Sequence, residues 1–369
     1  MPNILYTIET RGPGGAEILL FSMAKYCKDN GFSNHGYFIK EGWIKKKFNN
    51  AGFKTIYHPL KKGIDLFFLI HFIKIIKKYQ IDVIHSHEFA MSFYSSIASL
   101  LTGVKVISTF HGMNYHCDTK RRQWMMKFIA QISNIVAVSE DVRTLISSRA
   151  GINKKNILLI ENGIKSSADI AKGGLKDELN LPEDCILVGT VGRLHKIKGH
   201  KYLVKAAKNL VDKNDNIYFI IAGDGAEKES IFRLIIQLGL SKRFFLIGAR
   251  NDIPNLLSSL DIFILPSLSE GTSLALLEAM SYGLPIIATK VGNNPNLIKN
   301  SKHGFLIRTQ HPDDIADCVQ EIIDKNMFFM FSSANKKLVK EFYSFEKMMG
   351  KYLEIYSEKF IEQTPYLWN

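Results

Sequence analysis

Twice along the chain, short apolar runs rich in Val, Ile and Phe return after stretches with a helical apolar period, and that alternation admits few architectures. In the first half the runs are "NILYTIE", "NHGYFIK", "KTIYHPL", "DVIHSHE", "VKVISTFHG", "NIVAVSE" and "NILLIENGI", with helical segments such as "AEILLFSMAKYCKDNG" between several of them. In the second half "ILVGTVGRL" precedes the helical "GHKYLVKAAKNLVDKN" and "IYFIIAGDG" precedes "AEKESIFRLIIQLG", while "RFFLIGA", "DIFILPS", "LPIIATK" and "GFLIRT" complete the set. Buried strands that return after each helix are the mark of a parallel sheet covered on both faces, so each set predicts one doubly wound α/β domain. The length of 369 residues agrees, being too great for one ordinary core. The polar segment "KSSADIAKGGLKDELNLPED", with paired glycines, is the expected linker. A last helix, "SFEKMMGKYLEIYSEKFIEQ", puts Phe345, Met348, Met349, Tyr352, Leu353 and Tyr356 on a broad apolar face that must pack on something.

Charge is unevenly placed. The net charge is +13; residues 1–165 hold 23 Lys and Arg against 11 Asp and Glu, whereas the remainder holds 25 against 24. The clusters are Lys45-Lys46-Lys47, Lys61-Lys62, Lys74/Lys77/Lys78 and Lys120-Arg121-Arg122, the last followed by Trp124, Met125, Met126 and Phe128. Such a half can meet an anionic surface, membrane lipid or nucleic acid, or simply form a solvated face. No recognition motif or basic aromatic repeat supports nucleic acid. Four scattered cysteines, Cys27, Cys117, Cys185 and Cys318, make neither a disulfide frame nor a zinc site, which points to a reduced, cytoplasmic compartment. The start reads as a strand and not as a signal peptide. The run "IDLFFLIHFIKIIKK" is interrupted by His71 and Lys74 and is too short to span a bilayer, and core packing is its expected role. The expectation is a soluble or peripheral protein.

Ligands of open α/β sheets sit beyond the carboxyl ends of the strands, so two facing sheets would share a cleft. Four strand-end segments carry chemistry there. In "SLSEGTSLALLEAMSYGLPIIATKVGNNPN", Glu270 lies in the loop after "DIFILPS", a helix starts near Ser273, and the amides of Gly271, Thr272 and Ser273 offer an anion site. Glu278 stands about one and a half turns into that helix. Carboxylates are poor phosphate ligands but strong acceptors for paired sugar hydroxyls, so glutamates on either side of an anion site suit a nucleotide sugar. In "GTVGRLHKIKGH", Arg193 can fork onto phosphate oxygens and Lys198 adds a charge before the next helix. In "ETRGPGGAE", Gly12, Gly14 and Gly15 allow close backbone approach before a helix start, although neither GxxxxGK[ST] nor GxGxxG is present. In "STFHGMNYH", His111 ends a strand, with His85, His87 and His116 as competitors. Alternation places His85 and His87 on one strand face, a possible metal pair lacking an evident third ligand.

With these motifs, and with "DVIHSHE", "NIVAVSE", "ENGI" and "IAGDG", the chain resembles family-four glycosyltransferases of the GT-B fold over nearly its whole length. The resemblance implies two Rossmann-like domains facing across a cleft. Residues 1–168 would bind the acceptor and 169–345 the donor, with the helix of 346–369 crossing back to the N-terminal domain. It implies a retaining, metal-independent hexosyltransferase that uses a UDP- or GDP-sugar and no cofactor. Glu270 would contact the donor sugar, Glu278 the ribose, Arg193 and Lys198 the diphosphate, Gly14 and Gly15 the phosphate side, and His111 the reacting sugar. The chain departs from the family where Gly292-Asn293-Asn294-Pro295-Asn296 replaces Gly-Gly-x-x-Glu and where Lys165 follows "NGI" in place of an aspartate. The expected acceptor is a lipid-linked glycan at the inner membrane face, as in surface polysaccharide assembly, with Lys45–Lys47 and Lys120–Phe128 as the membrane-facing segments. A nucleotide-sugar epimerase, a phosphorylase and a non-catalytic sugar-binding partner are the alternatives. Epimerisation would need no acceptor, and phosphorolysis would need phosphate.

Overall fold

The computed structural model describes residues 1–112, 117–165, 173–299 and 301–357. Its elements divide into two compact units, Met1–Glu161 with the chain from Met348 onward, and Asn162–Lys347. The divisions therefore fall at 161 and 347, where the sequence placed them at 168 and 345.

The first unit is built on seven parallel strands: β1 (Asn3–Ile8), β2 (Ser33–Phe38), β3 (Lys54–Tyr57), β4 (Val83–His87), β5 (Lys105–Phe110), β6 (Asn134–Ala137) and β7 (Ile157–Leu159). Their spatial order is β3-β2-β1-β4-β5-β6-β7. Every residue of β4 and β5 is buried, the polar His85, Ser86, His87, Ser108 and Thr109 included, as in a parallel strand covered on both faces. The second unit has six parallel strands: β8 (Ile186–Val191), β9 (Ile217–Ala222), β10 (Phe244–Leu246), β11 (Ile262–Leu265), β12 (Ile286–Thr289) and β13 (Gly304–Ile307). These run in the order β10-β9-β8-β11-β12-β13. Chain direction across each sheet reverses beside its first strand, between β1 and β4 and between β8 and β11. Loops after those strands diverge to opposite faces and leave a crevice, the place where open α/β sheets hold ligands.

Two sequence expectations change on contact with the fold, and the expected return of the last helix to the first unit is observed. The segment expected to be a linker is partly packed: Leu175 is buried, and Lys176 Nζ lies 3.1 Å from Asp261 Oδ2 and donates to the Cys185 carbonyl. Residues 166–172 of that segment lie outside the described residues. The helix Leu66–Lys78 buries only one face, with Phe68, Phe72 and Ile76 in the core and Leu66, Phe67 and Ile70 exposed. The last helix, Phe345–Ser357, returns to the first sheet, where Tyr352 and Tyr356 meet β4 and β5 and Lys105 Nζ donates to the Ile355 carbonyl.

Candidate active site

In the second unit, four loops at the carboxyl ends of β8, β9, β11 and β12 are fastened to one another. Gly199, at φ +67°, opens the helix His200–Val211, and a Cβ there would stand 2.0 Å from the Pro266 carbonyl oxygen. Only glycine permits that approach. The Leu268 N–H donates to the Ile197 carbonyl at 2.7 Å, closing the same contact. The consequence is chemical: Lys198 Nζ lies 2.6 Å from Glu270 Oε1, although 72 residues separate the two. Ser267 Oγ donates to the same carboxylate oxygen at 2.6 Å. Glu270 is nearly buried, and its Oε1 is met by both of these donors.

The loop after β12 clasps the same region from the other side. Gly292, at φ +51°, lies so close that a Cβ would stand 2.1 Å from the Glu270 carbonyl oxygen. The Asn293 N–H donates to the Gly271 carbonyl at 3.1 Å, and Asn293 Nδ2 to Thr272 Oγ1 at 3.3 Å. Asn296 Nδ2 donates to Asn293 Oδ1 at 2.9 Å, and Asn294 Nδ2 to the Thr289 carbonyl at 2.9 Å. These asparagines therefore shape the loop that holds Glu270, a role not evident from their place in a departing motif. Lys165, the other departure, rests 5.6 Å over the Phe345 ring.

The helix Leu274–Ser281 begins where the sequence placed it. Ser273 is its N-cap, with Oγ accepting from the Leu276 N–H at 3.4 Å. The N–H groups of Gly271, Ser273, Leu274 and Ala275 find no acceptor among the described residues, as expected for a helix start that can receive an anion. Glu278, half-buried on that helix, makes no hydrogen bond or ion pair through its carboxyl among the described residues. Burial pushes that carboxyl up to about 7. Tyr282, one turn on, is raised by its own burial and then by the Glu278 charge. Arg193 follows β8, is exposed, and its guanidinium has no partner among the described residues. An unpaired cation after β8 and, after the neighbouring β11, free helix-start amides and an unpaired helix carboxyl thus stand beyond adjacent strand ends, beside a satisfied Lys198–Glu270 pair.

In the first unit Gly14 caps the helix Gly15–Asp29 with extended backbone, without a side-chain cap. His111 follows β5, and its Nε2 lies 2.7 Å from His87 Nδ1, the rings stacked at 14°. His85 and His87 do share a face of β4, 4.4 Å apart by ring centroid. His85 is not available to a metal, because Nδ1 meets Tyr356 Oη at 2.6 Å and Nε2 meets Thr109 Oγ1 at 2.8 Å. Burial, then the nearby His111, lowers His85 to about 3; burial, then His85 and His111, lowers His87 as well. Both stay neutral at physiological pH, so the pair is a support for His111. No group of three or more His, Cys, Asp or Glu able to hold a metal occurs among the described residues. His116 lies outside them. The sequence offered His87 as a rival to His111 and as half of a metal pair with His85; its role as partner to His111 depends on strand pairing, which sets His87 beside Thr109.

Residues 173–341 match the family "Glycosyl transferases group 1", and residues 13–167 match "Glycosyltransferase Family 4". An Escherichia coli protein described as UDP-Gal:alpha-D-GlcNAc-diphosphoundecaprenol alpha-1,3-galactosyltransferase is 30% identical over 81% of each chain. Among solved structures, a glycosyltransferase from Rickettsia africae superposes with a TM-score of 0.85 at 22% identity, covering 96% of this chain and 98% of that one. Anabaena Alr3699/HepE in complex with UDP-glucose gives 0.83 at 20% identity, covering 96% and 99%.

Proposed function

Because the chain belongs to glycosyltransferase family 4 and has the GT-B fold of two Rossmann-like sheets, we propose that it transfers a sugar with retention of anomeric configuration. The donor is a nucleoside-diphosphate sugar, with UDP favoured, and the acceptor is a hydroxyl of a lipid-linked glycan. The observation that carries the donor assignment is the set of unpartnered groups around the helix start at Ser273. Arg193 and Lys198 take the diphosphate, with the amides of Gly271, Thr272, Ser273 and the first helical turn. Glu278, unpaired and set into the helix, accepts from the ribose hydroxyls. Glu270, already steadied by Lys198 and Ser267, keeps Oε2 for a donor-sugar hydroxyl.

In the transfer step the bond between the anomeric carbon and the β-phosphate oxygen breaks as the acceptor oxygen bonds to the same face of that carbon. The acceptor proton passes to the departing phosphate oxygen. Charge therefore develops on the diphosphate, where Arg193, Lys198 and the helix-start dipoles stabilise it. No side chain needs to act as nucleophile and no metal needs to neutralise the leaving group. In the first unit we assign His111 to the reacting sugar, oriented by His87, and Gly14 and Gly15 to the phosphate side. The acceptor assignment is supported by the E. coli relative, whose description names a diphosphoundecaprenol-linked GlcNAc. A lipid-linked acceptor would be met at the inner face of the cytoplasmic membrane. No helix among the described residues is long and apolar enough to cross a membrane.

The test is to offer a panel of UDP- and GDP-sugars with a short-chain polyprenyl-diphosphate-GlcNAc in the presence of EDTA, and to read the product's anomeric configuration by NMR. Transfer with the donor's configuration kept is expected. An inverted product, or transfer restored only by a divalent cation, would overturn the mechanism. Conversion of the donor without acceptor would favour epimerisation.

A further inference from the structure

We propose that the exposed face of the helix Leu66–Lys78, with the turn before it, is a docking surface for an anionic lipid bilayer. The proposal rests on the lipid-linked acceptor and names the surface that brings the first unit to it. Ile64, Leu66, Phe67 and Ile70 are all exposed, Phe67 at 80%. Contiguous apolar surface of this kind marks an interaction site more often than chance exposure does. Phe67, Ile70, Lys74 and Lys77 follow one another at spacings of three and four residues, so they share one helix face, apolar at its start and cationic at its end. Lys61 and Lys62 flank the apolar tip on its other side, and both are exposed.

Two observations select a bilayer as the occupant. First, Lys62, Lys74 and Lys77 are exposed and form no ion pair with a carboxylate among the described residues, while Lys61 lies near the Asp65 carboxylate. An apolar tip ringed by such lysines matches the acyl boundary beneath anionic headgroups. Second, the tip is held rigidly. Asp65 accepts from the Phe68 N–H at 3.0 Å and the Lys61 N–H at 3.1 Å, and its own N–H donates to Tyr94 Oη at 2.8 Å. Insertion therefore requires no rearrangement. The clusters that stand out in sequence are more committed within the fold: Lys45 pairs with Glu41 at 2.5 Å, Lys47 Nζ lies 5.6 Å from the Trp43 ring centroid, and Arg122 pairs with Asp118 at 3.1 Å.

The experiment is flotation of the full chain with vesicles of phosphatidylglycerol and phosphatidylcholine, and with phosphatidylcholine alone. Wild type is expected to float with the anionic vesicles and to be released by salt. Phe67→Ser with Ile70→Ser should weaken flotation by about tenfold. Lys74→Gln with Lys77→Gln should weaken it by about fivefold per lysine. Lys45→Gln with Lys47→Gln should leave it unchanged. Circular dichroism and calorimetric binding of UDP-sugar should be the same in all variants, since none of these residues belongs to the donor site. The inference is overturned by wild type that does not float, by a Phe67/Ile70 variant that floats as wild type does, or by loss in that variant of self-association in place of vesicle binding. Donor binding without flotation would sink the docking surface alone. Flotation without donor binding would sink the transferase reading and leave the surface standing.

Discussion

Glu278 is the residue on which the account can be pressed hardest, because its two roles have opposite pH dependence. Burial raises its carboxyl from 4.5 to about 7, so the folded chain holds that proton more tightly than the unfolded chain. The stability it contributes is therefore present below 4.5 and lost as pH rises through about 7. Glu278→Gln should match wild type in Tm near about pH 5 and exceed it at about pH 8 by a few degrees, on the order of 1–2 kcal/mol. Donor affinity should run the other way in wild type, rising with pH as the carboxylate forms, and stay flat and weak in the variant. Lys198→Ala and Arg193→Ala should each lower turnover by about a hundredfold by withdrawing charge from the leaving diphosphate. Steady-state kinetics would show whether the loss falls on kcat, as transition-state stabilisation requires. These residues were legible because they share short segments at strand-to-helix junctions. The 2.6 Å contact of Lys198 with Glu270 was not, since it depends on how Gly199 fits against Pro266, and no periodicity encodes that approach.

Among elements, the strands were the most readable, because strands buried on both faces have no polar alternation to blur them. All thirteen apolar runs are strands. Two loops and two helices carried information the sequence withheld. The loop of Gly292 to Asn296 acts as a clasp on the Glu270 loop, so Gly292→Ala should both lower Tm and weaken donor binding, whereas an effect on Tm alone would show that the clasp does not shape the site. The helix Phe345–Ser357 announced an apolar face but not its partners. Tyr352 and Tyr356 reach Thr109 and His85, residues some 250 positions earlier, which only tertiary structure can reveal. Tyr356→Phe should destabilise the first unit by about 1–3 kcal/mol, because His85 Nδ1 would be left buried without a partner. Thermal unfolding of the variant measures this directly; an unchanged Tm would mean that water replaces the hydroxyl. The exposed face of the helix Leu66–Lys78 was hidden for the opposite reason: its sequence is apolar on most sides, and core and surface residues differ there only by their neighbours.

At the scale of the whole molecule, charge and chemistry are divided between two units. The first, basic half carries His111 and the lysine-ringed helix; the second, nearly neutral half carries Glu270, Glu278, Arg193 and Lys198. The charge asymmetry was plain in the sequence, although the surface it serves was not, because ion pairing within the fold decides which lysines remain outward. The central claim is that the loops after β8, β11 and β12 hold a nucleoside-diphosphate sugar. Isothermal titration of wild type and Glu278→Ala with UDP- and GDP-sugars, in EDTA, tests it most directly. The account predicts saturable binding of one donor by wild type and loss of that binding in the variant. Binding that persists undiminished without the Glu278 carboxyl, or no binding of any donor by wild type, would contradict it.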